Sequence, residues 1–203
     1  MDFYLVWIVL IAAAYAVKTV EQRQRIALLG SFLHPYQLEQ LMQDLSSGYL
    51  RAMGEADPQR RAAIWHTLES SEQTLREQLQ GLAADLRRLS EPQARVSRLP
   101  LALPLINRLV AGQSFDLRAA VAIHAKSFSD ILDNHQCMSR KDQSFMLLAE
   151  LMLFQHTCHW FCRSQLVASA RLQVRHKTAY EQVLAAVSAP TRQAYNALLR
   201  RAG

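Results

Sequence analysis

Glycine and proline are scarce, six of each in 203 residues. So few glycines leave little room for a backbone loop that cradles phosphate, and neither G-x-x-x-x-G-K-[ST] nor G-x-G-x-x-G occurs. Asn-Gly and Asp-Gly are missing, and no run alternates β-branched with polar residues, which removes the usual hairpin signals. G-x-S-x-G and H-E-x-x-H are absent as well, so no motif names a reaction and a non-enzymatic role is expected. Cysteine is limited to three, an odd count that fits poorly with a secreted disulfide framework. There is no internal repeat and no low-complexity stretch.

What the chain has instead is leucine, alanine, glutamine, arginine and glutamate, all good helix formers. The expected fold is all-α: an N-terminal transmembrane helix, then a helical hairpin, then a C-terminal helical bundle. The expected boundaries are 1–20 for the anchor, 21–98 for a juxtamembrane helix and hairpin, 99–113 for a proline-containing apolar linker, and 114–203 for the bundle.

The anchor is read from Phe3–Val17, fifteen residues without a charge. A bilayer core takes about 20 apolar residues, with a lower limit near 17. Thr19 and Val20 extend the run past Lys18, whose long stem reaches back to the interface. Phe3, Tyr4 and Trp7 at one end and Tyr15 at the other suit the headgroup zones. Ala14-Tyr15-Ala16 resembles a signal-peptide cleavage site, but Met1-Asp2 is not the basic start such a peptide needs. Nor does the segment have the charged face of an interfacial helix. Lys18, Arg23 and Arg25 all follow the span. The positive-inside rule therefore places the N-terminus outside and the rest in the cytoplasm, at an inner or plasma membrane, with the thiols reduced.

Further along, Gly30 and Ser31 are expected to end or bend the first helix, and Pro35 to start a second that Gly54 stops. Asp57-Pro58 is a strong start signal. The helix behind it carries Leu75, Leu79, Leu82, Leu86 and Leu89 in 4-3-4-3 steps, a rhythm suited either to its own hairpin or to pairing with a second chain. The linker holds LPLALPLINRLVAG, in which Leu101, Leu103, Leu105 and Ile106 are the candidate partner-docking residues. Ser114 is read as the cap of a helix to Asn134. Ser139, in an S-x-x-D pattern, opens a longer one that runs to about Val174. Its stretch Phe145–Phe154 is apolar nearly all round, with only Glu150 charged, which predicts a buried central helix. Two closing helices, His176–Val187 and Pro190–Arg201, complete the chain.

Three groups of residues invite functional readings. His156, Cys158, His159 and Cys162 crowd into seven positions. Cys158, His159 and Cys162, completed by Cys137 (or by His135), form the candidate zinc site. However, C-x3-C inside a helix is not the turn-held pairing of structural zinc sites, and both cysteines lie on the face of Leu147, Leu151 and Phe154. Packing is the simpler reading, and no cofactor is required. Glu150 is a candidate buried acid, and His124, near Lys126 and Asp130, a candidate base. Lastly, Arg163 to the end holds seven Lys/Arg against the single acid Glu181, which equals the whole net charge of +6. Such a region attracts anionic surfaces. It lacks the aromatic interleaving of a single-strand binder and any helix-turn-helix spacing, so membrane lipid suits it better than nucleic acid. The function these features suggest is an interaction or accessory subunit of a membrane complex, partnered by another membrane protein or a second copy. The alternatives are a metal- or cofactor-binding helical domain and a basic surface binder.

Overall fold

The computed structural model describes residues 2–100 and 113–200. Leu101, Leu103, Leu105 and Ile106 lie outside these residues. Among the described residues the fold is all-α, nine helices and one two-stranded ribbon. In chain order these are α1 (Asp2–Leu33), α2 (Leu38–Gly54), α3 (Pro58–Leu86), α4 (Glu91–Ala94), β1 (Arg95–Ser97), β2 (Ser114–Asp116), α5 (Leu117–Asp133), α6 (Arg140–Cys162), α7 (Gln165–His176), α8 (Tyr180–Ala186) and α9 (Ala189–Arg200).

α6 is the axis. It packs against α1, α2, α5, α7 and α8, and α3 closes the body by lying between α2 and α5. The near-continuous apolarity of its middle has this cause: Leu147, Leu151 and Phe154 on one face and Leu153 on another are all at most 4 % exposed. Start signals were readable where a side chain takes up free backbone N–H groups. Asp57 accepts from the Gln59 amide with Pro58 in the first turn, and Ser139 accepts from the Asp142 amide. The α5–α6 turn is made by Asn134, left-handed at φ 48°, whose side-chain amide both donates to the Met138 carbonyl and accepts from its N–H.

The leucine stripe of α3 is consumed internally. Leu75, Leu79, Leu82, Leu86 and Leu89 are each at most 4 % exposed within this one chain, so the 4-3-4-3 rhythm serves its own hairpin rather than a second copy. α2 and α3 approach closely at Gly48, where a Cβ would collide with the Leu68 side chain.

Four expectations about element ends are corrected. α1 does not stop at Gly30 but runs to Leu33, because Leu29 is buried on the body and holds the helix through that weak point. α2 begins at Leu38, not at Pro35. Ser114 is in a strand, paired with Ser97, and the cap of α5 is Asp116, which accepts from the Arg118 amide. The helix from Ser139 does not reach Val174. It ends at Cys162, and Ser164 caps α7 by accepting from Val167. The ribbon closes the 99–112 connection at its base, where the Arg98 amide donates to the Gln113 carbonyl.

α1 is divided in use. Between Phe3 and Leu33 it is long and apolar enough to cross a membrane, and none of its most apolar window is buried in the body. Its C-terminal part is docked. Arg25 donates to the main-chain carbonyls of Phe161 (3.1 Å) and Arg95 (3.3 Å), lies 5.2 Å from the Phe161 ring centre, and pairs with Glu21.

Candidate functional site

The point where α1 joins the body has the most built surroundings. Trp160 donates its indole N–H to the Ser97 carbonyl at 2.7 Å and meets Phe115 edge-on, so ribbon and α6 are locked together beside Arg25. From this point a groove of about 590 Å³ opens between α1, α2, α6 and α7. Ile26, Leu29 and Leu33 of α1 form one wall, and Phe154, Cys158 and Cys162 of α6 face them. Leu38 and Met42 of α2 close one side. Arg163, Arg171 and Arg175 stand on the other, exposed, with Glu39 across from them. None of these three arginines makes an ion pair among the described residues. The basic C-terminal region was visible in the sequence, but its gathering onto an apolar trough was not. That depends on the break at Arg163–Ser164, which folds α7 back along α6.

The proposed zinc ligands do not assemble. Cys158, His159 and Cys162 do reach one groove, but Cys137 sits on the turn before α6, at its opposite end. The eighteen helical steps from Arg140 to Cys158 alone span about 27 Å. Among the described residues no three His, Cys, Asp or Glu side chains are grouped to hold an ion. Burial raises the pKa of Cys158 and Cys162 and lowers that of His159. Both thiols pack against the core, as the apolar-face reading expected. With an alkylating reagent, exposed Cys137 is expected to react first, and the half-buried Cys158 and Cys162 more slowly. Peptide mass spectrometry over a time course checks this order.

His156 turns away from the groove. It stacks on Tyr180 with ring centres 4.4 Å apart, and its Nε2 meets Ser169 Oγ at 3.1 Å. Burial, and then the positive charge of neighbouring His159 and His124, lowers its pKa to about 4. The unfolded chain takes the proton near 6.5, so between these values it binds more protons than the folded one, and stability falls as pH drops from 6.5 towards 4. His156→Phe keeps the stacking and should remove about 2–3 kcal/mol of that loss at pH 4.5. Urea melts at pH 7 and 4.5 measure the difference.

Glu150 and His124, read separately in the sequence, are brought together. Each is 2 % exposed, and His124 Nδ1 lies 4.0 Å from Glu150 Oε2. Lys126 and Asp130, expected beside His124, instead pair with each other on the outer face of α5. Glu150 Oε1 accepts from Ser127 Oγ at 2.7 Å and from the Ser188 amide at the start of α9. Thr191 meets both Ser127 and Ser188 by hydroxyl contacts. His124 Nε2 contacts Thr157 Oγ1 at 3.0 Å, and Thr157 contacts the Tyr195 hydroxyl at 2.9 Å. The cluster joins α5, α6 and α9 and is largely buried, so it fastens the last helix to the body. A second polar knot joins α2, α3 and α6: Arg140 donates to both oxygens of Glu72 at 2.7 Å, and Tyr49 donates to the same carboxylate at 2.8 Å. Glu72 was not singled out by its sequence context, being one acid among several on α3.

Compared with protein-family models, with curated proteins and with solved structures, the chain matches none.

Proposed function

We propose that this protein is a single-pass membrane protein whose helical body serves as an interaction or accessory subunit of a membrane complex. One observation carries the reading: the apolar first half of α1 contributes nothing to the core, while its second half is fixed to the body by Arg25 and Leu29. Eighteen residues at 1.5 Å each reach about 27 Å, close to the thickness of a bilayer core. Removing such a surface from water is the strongest driving force available to it. The positive residues after the span orient the body towards the cytoplasm. The two polar knots bind the helices into one block, which suits a docking role.

Affinity purification of the full chain from membranes in mild detergent tests this reading. The expected result is resistance to carbonate extraction together with one stoichiometric membrane-protein partner. Release by carbonate, or recovery of a lone monomer, counts against it.

A further inference from the structure

We infer that the groove between α1, α2, α6 and α7 binds a single-chain carboxylate amphiphile, a long-chain fatty acid. Ile26, Leu29 and Leu33 recur at helical spacing along α1, and Phe154, Cys158 and Cys162 recur every four residues along α6, so one ridge of each helix lines the groove. Its volume of about 590 Å³ falls inside the usual span for small-molecule sites, about 300–1,000 Å³. An apolar channel alone would not choose an occupant, but the charge on its edge does. Arg163, Arg171 and Arg175 line one side with no ion pair among the described residues, and Glu39 lies on the α2 side. An anionic head therefore belongs at α7, where a guanidinium takes a carboxylate through two parallel hydrogen bonds.

The position of the groove fits the chemistry. Arg163 contacts Gln22, and Ile26 lies only six residues beyond Val20, about 9 Å along the helix. A fatty acid partitioned in the adjacent bilayer reaches this mouth without crossing much water. The inference goes beyond the role as a complex subunit and does not require a protein partner.

Cys162 lines the groove and supplies the readout. The full chain carrying Cys137→Ser is placed in phosphatidylcholine nanodiscs, and Cys162 alkylation is followed by mass spectrometry while oleate is added. Oleate is expected to slow alkylation saturably, by about tenfold, because a charge-assisted contact plus chain burial excludes reagent from the thiol. Oleyl alcohol, with the same chain and no charge, is expected to need about tenfold more for the same protection. Arg171→Gln with Arg175→Gln should erase the preference for oleate while leaving the alcohol response unchanged, since both side chains are exposed and the fold does not rest on them. No protection by oleate, equal protection by the alcohol, or an unaltered preference in the double variant would each overturn the inference. Co-elution with the nanodisc reports separately on the anchor.

Discussion

Arginine placed at both Ile8 and Ile11 is expected to release the chain from membranes. The two residues sit near the middle of the apolar half of α1 and are 61 % and 66 % exposed, so they face lipid if the helix spans a bilayer. A charged residue at mid-membrane costs about 2.5–3.5 kcal/mol on the insertion scale, and two together about 6, a shift on the order of ten-thousandfold. Neither side chain touches the body, so the cooperative melt of the helical part should keep its midpoint. Membrane fractionation with vesicle flotation, and thermal denaturation of the same variant, read the two effects. Continued flotation would mean that something other than α1 holds the membrane. A collapsed melt would mean that the free half of α1 packs against the core after all.

The second large effect is at the α2–α3–α6 knot. Arg140→Met is expected to destabilise the body by about 3–5 kcal/mol, because Glu72 is 3 % exposed and would be left as a buried charge without a cation. For a chain of this size each kcal/mol moves the melting temperature by about 2–4 °C, so a fall on the order of 10 °C is expected. Burial and the Glu72 carboxylate both push the Tyr49 pKa upward, keeping its hydroxyl protonated as a donor. Adding Glu72→Gln to Arg140→Met should therefore recover part of the loss, since a neutral amide still accepts from Tyr49 and needs no cation. Additive losses in the double variant would show that the pair is not coupled. Calorimetry on the four proteins of the cycle gives the coupling directly.

The contrast between readable and unreadable features follows from the range of the forces. Asp57, Pro58 and Ser139 act within one helical turn, so their caps could be placed from sequence spacing alone. The all-α class was legible for the same reason, since every helix carries its own propensity and period. Gly30 misled because a single weak residue cannot end a helix whose next contacts, at Leu29 and Leu33, are tertiary. The ribbon escaped notice because three-residue strands carry no alternation to detect; Trp160 and Arg25 hold it, and both are distant in sequence. Among the candidate residues, Cys158, His159 and Cys162 were correctly placed on one helix. The same helix start at Ser139 already implied that Cys137, just before it, lies a helix length away. The Glu150–His124 pair, and the arginines gathered along the groove, arise only from how α5, α7 and α9 fold back on α6.

The Arg25 clamp has a mechanical consequence. α1 passes from its apolar half into the body as one helix, without a joint, and ends wedged against α6, the helix that touches most of the others. A flexible tether would let the body tumble freely beneath the bilayer. With the apolar half in a bilayer, as proposed above, α1 would act as a lever instead: a tilt or rotation imposed on that half would turn the whole body through the same angle, and whatever grips the shaft would aim the domain.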